Sequence, residues 1–239
     1  MNIIDLQKAI GAKADGIWGD KSRDALMTTF THTNAPKICD ADEKTFADRL
    51  HVSVRQLRAV ASVESSGGGY DARGRPKILF ERHKFHKYTG GRFSVCAFSN
   101  PQGGGYDQNS WDKLLGAIVT GAIDAAFMAC SWGKFQVLGE YWNDFHFDSP
   151  FAFALSTVPC DTGHYGLLVH YIECNKLQDE MAAISSNADT CRAFAKAYNG
   201  ANYERFSYHT KLAKAMAWPF AGAARVVHQQ YAVVACERP

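Results

Sequence analysis

The run Ser53-Val54-Arg55-Gln56-Leu57-Arg58-Ala59-Val60-Ala61-Ser62-Val63-Glu64-Ser65-Ser66-Gly67-Gly68-Gly69-Tyr70 sets the reading of the whole chain. Serine followed three residues later by glutamine is the capping-box pattern that opens a helix. Leu57, Val60, Ala61 and Glu64 then recur at helical spacing and share one face. The glycine run is expected to stop the helix, since glycine accepts the left-handed exit conformation. An acid therefore stands at the end of an apolar helical face, near the negative end of the helix dipole. Both settings disfavour a charged carboxylate. A carboxyl still protonated near neutral pH can protonate a glycosidic oxygen as it leaves. The bare glycines beyond it would let a sugar come close. The same spacing also fits a solvent-facing glutamate at a frayed helix end, so the local pattern makes Glu64 a candidate only.

Outward from this helix the pattern is mostly helical. A short helix is expected over 41–50, and an extended segment over 76–80. Ser110 is placed as the cap of one long helix whose stripe is Trp111, Leu114, Leu115, Ile118, Ile123 and Phe127. Gly90-Gly91 and Gly103-Gly104-Gly105 mark loops. Residues 139–148 are aromatic-rich and irregular. Further helices are expected near 149–158, 163–174, 176–184, 189–198 and 207–217, the last stopped by Trp218-Pro219. The tail from 221 fits a helix or a strand equally. The fold class is therefore mainly α with a small β or extended region. A doubly wound sheet would need regular strand–helix alternation, which is absent.

Residues 1–33 form a small helical module. Ile3, Leu6, Gln7 and Ile10 fit one helix, and Asp15-Gly16-Ile17-Trp18-Gly19 a tight turn. Asp20 is placed as the cap of a helix over 21–30, and Asn34-Ala35-Pro36 reads as a linker. So short a module cannot bury much surface alone and should dock on the main domain, 38–239.

Composition excludes several classes. A formal net charge of +2 lacks the concentrated basic surface of a nucleic-acid binder. The seven cysteines include no C-x-x-C pair, which argues against a zinc knuckle or a disulfide framework. Most are expected to be buried thiols of a reducing compartment. The N-terminus has no basic start followed by an apolar run, so no signal peptide is read there. The segment 114–130 comes nearest to a membrane span, but Asp124 interrupts it. Aromatic residues reach 13%, enough to fill a core and, secondarily, to line a sugar-stacking groove.

The segment from Ala59 to Tyr70 resembles the catalytic segment of the N-acetylmuramidase family found mainly in phage endolysins. The family's next elements match Gly74-Arg75-Pro76-Lys77-Ile78-Leu79-Phe80-Glu81-Arg82-His83, then Ser131-Trp132-Gly133-Lys134-Phe135-Gln136, then Tyr198-Asn199-Gly200-Ala201-Asn202-Tyr203, then Tyr208-His209-Thr210-Lys211-Leu212. Ala201 stands where the family usually has proline, which reads as a small backbone change. The segment around Glu64 is also similar to the catalytic helix end of goose-type lysozymes. The resemblance implies a lysozyme-like fold, bacterial peptidoglycan as substrate and Glu64 as general acid. It implies substrate contacts from Ser65, Gln136, Tyr198, Asn199 and Tyr203, although core or loop-bracing roles fit these tyrosines, Asn199 and Gln136 equally. The module over 1–33 resembles about half of a peptidoglycan-binding domain, carried by Asp15, Gly16, Trp18 and Arg23. The likeness further implies a monomer made in the host cytoplasm, with no stable membrane association, that reaches the periplasm at lysis through a holin's membrane hole.

Glycoside hydrolysis usually needs a second carboxylate. Glu81 is the first choice, as water activator or charge stabiliser; a purely structural role fits it as well. Asp71 and Asp107, in glycine-rich loops, are weaker alternatives. Glu81-x-His83-x-x-His86 is not a zinc-site spacing, and in an extended segment the two histidines would face opposite ways. No metal or organic cofactor is expected. Residues 44–57 fit a DNA-reading helix-turn-helix by spacing, but the charge for it is lacking. A lytic transglycosylase on the same glycan, or a non-catalytic wall-binding protein, are the remaining alternatives.

Overall fold

The computed structural model describes residues 1–65 and 67–217. The expectations for Trp218-Pro219 and for the tail from 221 lie outside the described residues. Among these, twelve α-helices surround one three-stranded antiparallel sheet, a mainly α, lysozyme-like architecture.

Helix α1 (Ile3–Ala9) starts from a complete capping box between Asn2 and Asp5. Helix α2 (Asp20–Thr29) is capped by Gly19, so Asp20 is its first residue and not its cap. As an acid in the first turn it still favours the positive end of the dipole. Helix α3 is Asp40–Arg49 and helix α4 is Val54–Glu64. The predicted box on α4 is present: the Ser53 side chain accepts from the Gln56 N–H, and the Gln56 side chain accepts from the Ser53 N–H. Leu57, Ala59, Val60 and Ala61 are its buried residues. Its exit differs from expectation. Ser65 is extended, with φ −110° and ψ 130°, and Gly67 is left-handed, with φ 90°.

Strand β1 (Ile78–Phe80) pairs with β2 (Cys130–Trp132), which pairs in turn with β3 (Val137–Leu138). Ile78 lies opposite Trp132, and Ser131 opposite Leu138. The β2–β3 hairpin has no signal in the sequence, because its strands are too short to show an alternation. Beyond β1 the chain turns at once into α5 (Arg82–Tyr88). His83 and His86 are thus three apart on a helix, which corrects the extended geometry. The expected long helix is two, α6 (Ser110–Val119) and α7 (Ile123–Met128), separated at Gly121 with φ 78°. Asn109 caps α6 through the Trp111 N–H, and Ser110 instead accepts the Phe80 N–H, fastening helix to strand. Helices α8 (Pro150–Leu155), α9 (Asp161–Cys174), α10 (Gln178–Ala182), α11 (Arg192–Asn199) and α12 (Tyr208–Ala217) complete the bundle.

The N-terminal module shares this core. Leu6, Leu26 and Phe30 are wholly buried. The Phe30 ring lies 5.5 Å from Trp111, 5.5 Å from Trp132, 6.1 Å from Phe127 and 5.9 Å from Phe151. Backbone contacts follow: the His32 N–H donates to the Gly74 carbonyl at 2.9 Å. A Cβ on Gly74 would lie 2.7 Å from the Thr33 Cα, so the two segments touch where only glycine fits. The linker is pinned as well, with the Asp161 N–H donating to the Pro36 carbonyl at 2.9 Å.

Six cysteines are described, all free; Cys130 and Cys191 are buried, but Cys39 and Cys174 are exposed, against the expectation of mostly buried thiols. No helix among the described residues is long and apolar enough to cross a membrane.

Candidate active site

The end of α4 opens into a cleft of about 490 Å³. Glu64 and Gly68 line it from the α4 side, Asp71, Arg75, Lys77, Ile78 and Leu79 from the following loop and β1. Asn109, Ser110 and Trp111 close one wall, and Gly133, Lys134 and Gln136 of the hairpin the other. The walls are held by backbone bonds centred on one residue. The Lys77 N–H donates to the Gly69 carbonyl at 2.8 Å, and the Lys77 carbonyl accepts from the Gly133 N–H at 2.8 Å. The glycine loop after Glu64 and the hairpin carrying Gln136 are therefore joined through Lys77.

A buried histidine supports both loops from behind. His164 on α9 is 1% exposed, and its Nδ1 accepts the Lys134 N–H at 3.1 Å. A Cβ on Gly69 would come within 2.8 Å of the imidazole, and one on Gly133 within 1.9 Å. These two glycines are thus required by close approach. Burial pushes the imidazole down to about 4, with Lys134 adding to the effect, so the ring is neutral at physiological pH.

Glu64 is half-buried. Burial pushes its carboxyl up to about 7, against an opposing hydrogen bond from Asn199 and the charge of Lys211. The Asn199 side-chain amide donates to Oε1 at 3.0 Å. Tyr198 lies beside it on α11, partly buried against Tyr171 and Phe194, and its phenol is pushed well up by burial and by the Glu64 charge. The carboxyl near 7 exists in both protonation states at neutral pH. It can donate a proton in one step and accept one in the next.

The other sequence-predicted residues occupy different settings. Gln136 lines the cleft, but its amide is tied down, donating to the Lys77 carbonyl at 3.2 Å and the Gly133 carbonyl at 2.7 Å. Ser65 is partly buried at the exit of α4. Tyr203 is 9% exposed, stacks edge-on with His209 and donates to Glu204 at 3.1 Å, which is a bracing arrangement. Glu81 is outside the cleft lining. It accepts from the Tyr106 hydroxyl at 2.8 Å and lies 3.4 Å from the His83 Nδ1. Asp71 does line the cleft, but both its oxygens are used: Oδ1 accepts the Arg73 and Arg75 N–H groups at 2.8 and 3.0 Å, and Oδ2 the Arg75 guanidinium at 2.7 Å. Those bonds hold its carboxyl below the ordinary range despite partial burial. Sequence reasoning missed Lys77, Arg75 and Trp111 as cleft residues, although the first two sit inside the quoted signature. His164 had no local signal at all.

In the N-terminal module, buried Gln7 donates to Asp15 at 3.0 Å, to the Ile17 carbonyl at 3.0 Å and to Ser22 at 3.0 Å, and accepts from the Gly16 N–H at 2.8 Å. Asp15 and Gly16 therefore shape the turn. Trp18 is half-buried, and Arg23 pairs with Asp20 at 3.6 Å. Among the described residues no group of three or more metal-ligating side chains is gathered.

Comparison with known proteins places the fold. No curated protein matches the sequence. The crystal structure of a Burkholderia AP3 phage endolysin superposes with a TM-score of 0.69 at 27% identity, covering 90% of this chain and 93% of that one. The model of the N-acetylmuramidase family matches residues 53–218, more than half of the chain and the whole span from the cap of α4 to the end of α12. The chain belongs to the N-acetylmuramidase family.

Proposed function

We propose that the chain is an endolysin that hydrolyses the bond between N-acetylmuramic acid and N-acetylglucosamine in bacterial peptidoglycan. The observation that carries the reading is Glu64: a half-buried carboxyl near pKa 7, at a helix end, in a cleft of about 490 Å³. In its protonated form Glu64 donates to the bridging oxygen. The bond from that oxygen to the muramic C1 breaks, and water completes the new reducing end. Asn199 keeps the carboxyl oriented by its bond to Oε1. The likeness to a phage endolysin supports a role in host lysis, with synthesis in the host cytoplasm and release by a holin. Residues 1–33 act as a docked module with weak wall binding of their own, because the turn residues of the binding pattern are spent on holding the turn. Mass spectrometry of digested wall should show reducing muramic acid ends. New free amines without new reducing ends would refute the reading.

One observation favours a second chemistry. Among the described residues lining the cleft, Glu64 is the one carboxylate not already neutralised by an arginine, since Asp71 is held by Arg75. A lytic transglycosylase works with one acid: the muramic O6 attacks C1, its proton is taken by the same carboxylate, and an anhydro-sugar forms without water. Anhydromuramic products in the same digest would select it.

A further inference from the structure

Three cations line the cleft, and two of them are already satisfied. Arg75 pairs with Asp71 at 2.7 Å and lies over the Trp111 ring at 5.3 Å. Lys134 is 3.8 Å from Asp161 and lies over the Tyr165 ring at 5.0 Å. Lys77 has no hydrogen bond, ion pair or ring contact from its ammonium among the described residues. Yet its backbone is fixed on both sides, the N–H bonded to the glycine loop and the carbonyl to the hairpin. Its Nζ lies over the glycine loop that follows Glu64, 3.9 Å from where a Cβ on Gly67 would sit. Lys77 is exposed, so its ammonium stands at the solvent-facing rim of the cleft, placed to meet an anion on the occupant.

We infer that Lys77 is a specificity residue that takes a carboxylate carried by the muramic acid residue. This rests on the muramidase reading above. The sugar rings themselves offer neutral hydroxyl and acetamide groups. The charge on this glycan is the carboxylate of the muramyl side group, either on the lactyl arm itself or on the peptide attached to it. Lys77 binds that carboxylate by a charge-assisted hydrogen bond and so sets which ring occupies the position beside Glu64.

The test compares wild-type, K77M and K77R chains on three substrates. These are peptide-bearing glycan strands, strands stripped by an amidase to leave the lactyl carboxylate free, and stripped strands whose carboxylate has been converted to a methylamide. Turnover is followed with the native acid in place. Kd is read separately by anisotropy of labelled strands on an E64Q background, so that binding does not depend on cleavage. K77M should raise KM and Kd about fivefold on charged strands, the upper range for a partly exposed ion pair. It should leave kcat within about twofold and the methylamide strands unaffected, and K77R should restore binding. The difference should shrink with added salt. A loss confined to peptide-bearing strands places the carboxylate on the peptide, and one confined to stripped strands places it on the lactyl arm. Equal binding by wild type and K77M on charged strands, or an equal loss on charged and methylamide strands, overturns the inference. If wild type releases no sugar ends from any strand, the muramidase reading fails, and the Kd comparison still decides the role of Lys77.

Discussion

Replacing Glu64 with glutamine separates the chemistry of the acid from its place in the fold. Glutamine keeps the size of the side chain and the Oε1 that accepts from Asn199 at 3.0 Å. It cannot donate a carboxylic proton, so turnover should fall at least about a hundredfold. Stability should move the other way, and only at high pH. Burial raises the Glu64 carboxyl from 4.5 to about 7 in the folded chain. Between those values the folded state binds more protons than the unfolded one, so this group's contribution falls as pH rises through the window. The full difference corresponds to about 3 kcal/mol of destabilisation above pH 7. Partial exposure and solvent screening bring it to about 1–2 kcal/mol. E64Q removes that loss. Its Tm should exceed wild type by about 2–8 °C at pH 8.5 and match it at pH 4. Calorimetry across this range and release of reducing ends from purified wall are the two assays. A folded E64Q chain with near-normal turnover would remove the centre of the mechanism. A stability difference that is the same at pH 4 and pH 8.5 would refute the account of burial.

Asn199→Ala deletes the hydrogen bond that holds the Glu64 carboxyl down, so the alkaline limb of the pH–rate profile should move upward while turnover drops; an unmoved limb would show that the bond does not tune the acid. Phe30→Ala should destabilise the whole chain by about 3–5 kcal/mol in urea unfolding, because the ring is wholly buried among aromatics of the main domain; a loss under about 1 kcal/mol would mean that the module is not part of the core. Glu81→Gln should lower Tm more than it lowers kcat, as expected for a brace to Tyr106; a large loss of kcat with an unchanged Tm would restore Glu81 as the second carboxylate.

Most of the helices were legible because their signals are local. The capping box at Ser53 and Gln56 and the apolar spacing of α4 need no tertiary information, and both appear as read. The docking of the N-terminal module followed from size alone, and Phe30 among four aromatic rings is its physical form. The misreadings share one cause. Ser110 carries a hydroxyl suited to a cap, but its tertiary partner, the Phe80 N–H, claimed it, and Asn109 took the cap. Cys130 to Leu138 is too short for any strand period to show, and its pairing with β1 is decided by residues 50 positions away.

For the site, the same distinction decides what was readable. Glu64 combines two local features, a helix end and an apolar face, and the cleft adds the burial that raises its carboxyl. Glu81 stands out in the sequence by the signature, by its place at the end of an extended apolar run and by the nearby His83. A signature marks residues that matter and does not say to what they are attached. At the far end of β1 Glu81 faces Tyr106 and His83, whereas Lys77, at the near end of the same stretch, faces the cleft. Asp71 shows the complementary effect, since it lies in the cleft but is bonded to the arginine four residues on, as an Asp-x-x-x-Arg loop allows. A carboxylate whose oxygens already accept two backbone N–H groups and a guanidinium is too weak a base to activate water. The division of labour in this cleft is therefore set by hydrogen-bond partners more than by residue type. Burial with a single neutral donor leaves Glu64 free to exchange its proton, and saturation with donors favours the charged form of Asp71 and ties it into the loop.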